Sequence, residues 1–296
     1  MPAPRPIPVL LDTDIGSDVD DILALALLAN SPEFDLVGVT TVYGDTQLRA
    51  RMVRYVLDRL GLPHVPIGIG AKETMSGRPV WWAGHEGDNI PDLDRIPIDD
   101  MPSALDLLQR ATTDHDGALH LIAIGPLTNI AQAILSDANF VPAIRHLTVM
   151  GGAFWMPRPE HNIRCDAAAA DIVVRSSVPM TFCGLDVTLR ALLRESDMPR
   201  IREAKGIGPL LEEEVRRWWS FRQATTNHLH DPLAVLSLIR PDLFQFTHCD
   251  IQVDVAGPDA GRTHPERCGE GIIRIASNID APAAEQEIVR RIAGDG

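Results

Sequence analysis

Five carboxylates fall within ten residues near the start of this chain. They are Asp12, Asp14, Asp18, Asp20 and Asp21, in the run VLLDTDIGSDVDDILA at residues 9–24. Two like charges about 5 Å apart repel by roughly 3 kcal/mol at an effective dielectric of about 20. Acids crowded in this way either take up protons or gather round a cation. Oxygen-only donors select a hard ion, Ca²⁺ or Mg²⁺. The plainer account is a helix start with solvated acids, since helix N-termini favour negative charge. The apolar run Val9-Leu10-Leu11 ahead of the cluster argues for a site instead. It reads as a buried strand, and open α/β sheets bind ligands at the carboxyl ends of their strands.

Other chemistry-bearing residues lie at similar junctions. Asp231-Pro232 follows His228 and His230 in NHLHDPLAVL and precedes an apolar helical pattern. Asp at N-cap with Pro at N1 is an ordinary helix start, and the same geometry suits a metal ligand. Glu160 and Asn162, two apart, point the same way if their segment is extended. Gly151-Gly152 just upstream lets backbone approach a ligand closely. Trp81, Trp82 and His85 lie in a Gly-rich stretch and offer a stacking surface for a planar ring. Ile124-Gly125-Pro126 and Tyr43-Gly44-Asp45 are turns that end apolar runs.

The elements that must hold these residues alternate. Strands are expected at 9–11, 36–42, 65–69, 120–124, 147–150, 180–183, 244–256 and 272–276. Helical spacing falls at 22–28, 46–60, 104–112, 130–135, 167–174, across most of 196–240, and at 283–293. Such alternation implies βαβ units and a mainly parallel sheet flanked by helices. Residues 70–102 show no period, and so long a loop is usually functional. Residues 258–271 also read as loop. With no linker or repeat, one α/β domain over 1–296 is the simplest reading, with a helical subdomain around 196–230.

Composition narrows the partners. There are 27 Lys and Arg against 41 Asp and Glu, a net charge of −14. That balance argues against nucleic acid, whose phosphates want Lys and Arg. No apolar run approaches a membrane span of roughly 18 residues, and MPAPRPIPVLLD has no signal-peptide core. Cys165, Cys183, Cys249 and Cys268 contain no CxxC spacing and read as reduced thiols of a cytoplasmic protein.

Two motifs can be tested against the acid run. An EF-hand fails, because counted from Asp12 the fifth residue is Gly16 and the twelfth is Leu23. A haloacid-dehalogenase-like phosphatase opens with strand-DxD and would use Asp12 as nucleophile with Mg²⁺, but Gly16 departs from its pattern. DTDIGSDVDDILAL more closely resembles the D-T/C-D-P-G-x-D-D signature of the inosine-uridine-preferring nucleoside hydrolases, with two extra residues before the last acid pair. Asp18 has no counterpart there. The GPLTN turn, MGG, the segment around Glu160 and Asn162, and HDP are similar to that family's segments as well, so the likeness spans Val9 to about Leu236.

The resemblance implies a Rossmann-like nucleoside hydrolase architecture and cleavage of the N-glycosidic bond of a ribonucleoside to ribose and base. It implies Ca²⁺ held by Asp14, Asp21, Asp231 and the Ile124 carbonyl, with Asp14 as general base toward water. Asp20 would hold a ribose hydroxyl, Glu160 and Asn162 the 5′ side, and Asp45 and Trp82 further parts of the substrate. His230, or else His85, would serve the leaving base. Asp12 would support the loop. Relatives of this kind are commonly homodimers or homotetramers. A non-catalytic ribose- or nucleoside-binding protein is the remaining alternative.

Overall fold

Val9, Leu10 and Leu11 are fully buried because the strand they form is covered on both faces. Val9 and Leu11 join one apolar cluster and Leu10 the other, as side chains alternating across a sheet must. The structure is a computed structural model that describes residues 5–294. Met1 to Pro4, part of the stretch tested for a signal peptide, lie outside the described residues.

In chain order the first half comprises β1 (Ile7–Thr13), α1 (Asp20–Ala29), β2 (Phe34–Thr41), α2 (Thr46–Arg59), β3 (Ile67–Ile69), α3 (Ala104–His115), β4 (Leu119–Ala123), α4 (Thr128–Ser136) and β5 (Ile144–Met150). Then come α5 (His161–Cys165), α6 (Ala167–Val174), β6 (Met180–Cys183), α7 (Leu185–Thr188), β7 (Leu192–Arg194), α8 (Met198–Ile201), α9 (Gly208–Arg222) and β8 (Thr226–His228). The chain closes with α10 (His230–Ile239), β9 (Phe244–Val253), β10 (Thr263–Glu266), β11 (Ile273–Ile279) and α11 (Ala281–Ile292).

Nine strands form one sheet in the order β10-β9-β11-β6-β5-β4-β1-β2-β3. From β11 to β3 every pairing is parallel, and β9 runs antiparallel to both its neighbours. The expected mainly parallel, helix-flanked sheet is therefore present. The chain moves outward from β1 through β2 to β3, then returns to β4 on the other side of β1. The strand order thus reverses between β1 and β4, the place where such sheets leave a crevice.

Helix α1 is apolar nearly all round (DDILALALLA) because it lies between the sheet and its neighbours α10 and α11. Each fully buried leucine in it contributes roughly 2 kcal/mol of transfer free energy. The opposite face of the sheet is covered by α3, α4 and α6, whose buried residues belong to the second cluster. Among the described residues no helix is long and apolar enough to cross a membrane.

The fold departs from several expectations. Residues 258–271 are not all loop, since Thr263–Glu266 pairs with β9. A small β7–β8 ribbon interrupts the run expected to be helical. Residues 161–165 turn helical directly after Glu160, so Glu160 and Asn162 do not share an extended segment. Two cysteines are not thiols: Cys249 and Cys268 are joined, with Cα atoms 4.2 Å apart. The turn after Glu266 folds back on β9, with the Gly269 N–H donating to the His248 carbonyl at 2.7 Å. Nothing in the spacing of the two cysteines announces that contact. Cys165 and Cys183 are free and buried, as expected of thiols.

Helix α11 is fastened by Arg291, which is nearly fully buried and reaches Glu33 at 2.8 Å and Glu287 at 2.8 Å. Hydrogen bonds from Arg290 and then Arg291 hold the Glu287 carboxyl down at about 2, below its ordinary 4.5. A depressed acid stabilises the fold above its unfolded value, and that contribution is lost as pH falls through the folded value. The stability gap between wild type and Glu287→Gln is expected at pH 7 and should close between pH 4.5 and about 2, as read by circular dichroism melts across that range. Cutting the cross-link, by reductant or Cys268→Ser, should cost about 3 kcal/mol for a loop of this length. A melting midpoint insensitive to reductant would contradict this.

Candidate active site

The site begins with the sharp turn out of β1. Gly16 sits at φ 120°, and a Cβ there would lie 2.9 Å from the Met52 sulfur. That turn lets Asp14 and Asp18 flank the N-terminus of α1, where Asp20 and Asp21 occupy the first turn. Helix α10 begins beside it, and the Asp231 N–H donates to Asp20 Oδ2 at 3.3 Å. Two helix N-termini and one strand end thus bring five acids to the wall of a single cavity of about 680 Å³. Ile124, immediately beyond β4, lines it too, and a Cβ on Gly125 would fall 2.7 Å from Asp14 Oδ1. The turn glycine therefore leaves the space that the Asp14 carboxylate occupies.

Burial dominates the electrostatics. It raises the carboxyls of Asp14, Asp18, Asp20, Asp21 and Asp231 above their ordinary range, and their mutual repulsion raises Asp18, Asp20, Asp21 and Asp231 further. Arg49 is the fully buried cation beside them. It bonds the backbone carbonyls of Asp14, Ile15 (2.6 Å) and Tyr43 (2.7 Å) and the Ser17 hydroxyl (3.2 Å). Its hydrogens thus go to the acid loop's backbone and the serine, while its charge draws Asp14 and Asp21 only part of the way back. One oxygen from each of Asp18, Asp20 and Asp21 lies within 4.8 Å of the others. Such buried, oxygen-only, under-neutralised donors fit a hard divalent cation.

Most of the expected residues meet at this cavity. Asp14, Asp20, Asp21, Asp231, Ile124, Glu160, Asn162 and His230 all line it. The tight trio shares only Asp21 with the expected ligand set: it adds Asp20, expected at a ribose hydroxyl, and Asp18, for which the sequence offered no role, and leaves out Asp14 and Asp231. Asn162 Nδ2 donates to the Ile124 carbonyl at 2.8 Å, so that carbonyl already has a partner. Glu160 caps α5, accepting N–H bonds from Asn162 (2.8 Å), Ile163 (3.0 Å) and Gly152 (3.2 Å). His230 Nδ1 meets the Thr188 hydroxyl at 2.7 Å, and burial, with His228 and Arg158 nearby, pushes its pKa down to about 3.

Three expected residues lie elsewhere. Asp45 is exposed and caps α2 through the Leu48 N–H, outside the cavity. Trp82 packs on the Arg49 guanidinium at 4.9 Å, and Trp81 lines the cavity in its place. His85 packs edge-on against Phe221 at 4.9 Å, and Arg217 bonds its carbonyl, so it braces the loop against α9. Asp12 is buried, accepting from Thr40 (2.5 Å) and Asn129 (2.7 Å), and does not line the cavity. Its bonds join β1 to β2 and α4, and it is not placed as a nucleophile, which removes the physical basis of the phosphatase alternative.

The model of the inosine-uridine preferring nucleoside hydrolases matches residues 9–286. The chain belongs to that family. It is 33% identical over 266 residues to the non-specific ribonucleoside hydrolase RihC of Shigella flexneri, covering 85% of each chain. It is 29% identical over 272 residues to uridine nucleosidase 1 of Arabidopsis thaliana, covering 86% of this chain and 80% of that one. Its fold is similar to a purine-preferring ribonucleoside hydrolase from Gardnerella vaginalis, at a TM-score of 0.81 and 27% identity, covering 97% and 98% of the two chains. The chain is therefore an enzyme of the nucleoside hydrolase kind, and the fold expected from the resemblance is present.

Sequence reasoning missed Arg49 and Glu86. Arg49 stands three, four and seven residues before Met52, Val53 and Val56, on the buried stripe of α2. A charge at an apolar-face position was the available signal. Glu86 is buried and accepts N–H bonds from Ala83 (2.7 Å), Gly84 (2.7 Å) and His85 (2.9 Å) and a bond from the Ser17 hydroxyl (3.1 Å). It ties the long loop to the acid turn. Arg49→Met should destabilise the protein on the order of 3 kcal/mol, because several carbonyls lose their donor. Arg49→Lys should not restore it, since one ammonium cannot reproduce the guanidinium fork. Thermal melts of both variants decide this, and full recovery by lysine would refute the clamp.

Proposed function

We propose that the enzyme hydrolyses the N-glycosidic bond of ribonucleosides with Asp14 as general base and a calcium ion as its resident metal. The observation that carries this reading is the convergence of five under-neutralised acids, three buried and two half-buried, on one cavity that also holds Ile124 and His230. Asp14, Asp21 and Asp231 would hold the ion together with the Ile124 carbonyl, and the closeness of Asp18 to Asp20 and Asp21 adds Asp18 to the candidates. When bound, a divalent ion supplies positive charge that acidifies water and orders sugar hydroxyls. Calcium suits the site better than magnesium because many carboxylates with irregular spacing match its larger, flexible shell.

The side chains supply the rest. Asp14 is half-buried at the cavity wall and takes the proton of the attacking water, whose oxygen bonds to C1′ as the bond from C1′ to the base nitrogen breaks. Positive charge builds on the ribosyl ring in that transition state, and the surrounding carboxylates favour it. Asp20 holds a ribose hydroxyl. Glu160 and Asn162 fix the 5′ side, each already locked by bonds to backbone, so that orientation supplies part of the rate. When the Thr188 hydroxyl donates to Nδ1, a neutral His230 ring keeps its proton on Nε2. Its low pKa keeps the ring neutral near pH 7, so it aids the leaving base as a hydrogen-bond donor. The whole chain acts as one catalytic domain.

Asp14→Ala should lower kcat by more than about a thousandfold, a loss in keeping with removing a general base and its charge, with melting behaviour retained. His230→Ala should reduce turnover of inosine far more than of p-nitrophenyl riboside, whose leaving group needs little help. Base release followed by chromatography measures both, and near-normal turnover by Asp14→Ala would overturn the assignment of the base.

A further inference from the structure

The sheet face beneath α10 carries Ile122, Met150, Cys183 and Ala276 toward the active-site end but changes character at the other end. There, four adjacent strands each place a polar residue on that face: His120 on β4, His146 on β5, Thr181 on β6 and Arg274 on β11. Register puts His120 beside His146 and Thr181 beside Arg274. His120 lies two residues before Ile122, which faces the α10 cluster, so the strand's alternation sends it to the same side.

These four residues line a cavity of about 470 Å³, together with Arg145 and Ser237. The His120 and His146 ring centroids are 5.9 Å apart, and His146 Nε2 meets the Thr181 hydroxyl at 2.9 Å. His120 Nδ1 is buried with no hydrogen-bond partner. Arg274 lies over the Phe246 ring at 4.1 Å. No carboxylate lines the cavity, and among the described residues neither Arg145 nor Arg274 has an acidic partner. The cluster thus carries positive charge that no neighbouring acid offsets, in a chain of net charge −14. Two arginines beside the histidines oppose a metal cation, whereas guanidinium forks match tetrahedral oxyanions.

We infer that the row His120, His146, Thr181 and Arg274, with Arg145 at its rim, is a binding site for a phosphate-type oxyanion, remote from the catalytic cavity. Arg145 and Arg274 supply the charge, and the imidazoles and the Thr181 hydroxyl supply directed hydrogen bonds. The ligand is inorganic phosphate or the phosphate of a small phosphomonoester, since the cavity has room beyond a single ion.

The test is a titration of the full-length protein at constant ionic strength, with chloride as the reference anion. The readout is the imidazole NMR signals of His120 and His146, assigned through His120→Gln and His146→Gln. Inorganic phosphate and ribose 5-phosphate form separate arms. A saturable shift of both rings, weakened about tenfold or more by Arg145→Gln and by Arg274→Gln, supports the site. Tighter binding of ribose 5-phosphate assigns it to a phosphomonoester, and equal binding assigns it to the phosphate group alone. Arg145→Glu, at an exposed position, should abolish the shift while leaving uridine or inosine turnover unchanged. No saturable shift in either arm, or a shift of equal affinity in the arginine variants, overturns the inference.

Discussion

Everything at the catalytic end of this molecule depends on holding like charges together out of water. Carboxylates at such separations repel by a few kcal/mol per pair even with generous screening, and burial adds to the cost of each charge. The fold meets this with backbone. The first turn of α1 presents Asp20 and Asp21 where unpaired N–H groups and the helix dipole favour anions, and the start of α10 gives the Asp231 N–H to Asp20. Arg49 then pins the carbonyl side of the loop. These interactions fix where the acids stand without fully neutralising them, and that residual negative charge fits a hard cation.

The same constraint explains why the supporting residues are so heavily bonded. Glu86 ties the long loop to Ser17, and Asp166 gathers the N–H groups of Met75 (2.8 Å) and Ser76 (2.9 Å) with the Thr128 hydroxyl (2.7 Å). The non-periodic stretch between β3 and α3 is therefore fastened at two points by buried carboxylates. It closes one side of the cavity through Trp81, which meets the His161 ring at 5.9 Å. Loops that carry function need such anchorage, because their backbone groups have no ladder to satisfy them.

Much of the fold was legible in the sequence, for a definite reason. The strands near the switch point are buried on both faces, so they read as short continuous apolar runs, and the helices between them carry a clear period. The antiparallel edge was less legible. Thr263–Glu266 reads THPE, with a proline and no apolar alternation, and its pairing with β9 depends on a distant strand. Cys249 and Cys268 were hidden likewise, because their approach depends on the turn after that edge strand and on no local spacing. At the cavity wall stand the acid run, His230 and Asp231, which sit at legible strand-to-helix junctions, and Glu160 and Asn162, which the family resemblance and not their local spacing pointed to. Residues that act through a distant backbone, Arg49 and Glu86, were missed.

Asp45 and Trp82 show why adjacency in sequence misleads at such a site. Asp45 lies in a turn at the end of the second strand, as Asp14 does at the end of the first, yet its carboxyl caps α2 and faces solvent. The two strand ends differ in how soon a helix begins. Beyond Asp14 the chain makes a wide turn through Gly16 and carries Asp18, Asp20 and Asp21 to the cavity, whereas α2 starts immediately after Asp45 and its own N–H groups claim that carboxylate. Trp82 is drawn away from the cavity by the Arg49 guanidinium, leaving Trp81 as the aromatic wall. For a strand end to turn its own following residues into the crevice the next helix has to be delayed, whereas β8 leads at once into α10, whose first turn delivers His230 and Asp231. Here β1 meets that condition, because residues 14–19 separate its end at Thr13 from the start of α1 at Asp20.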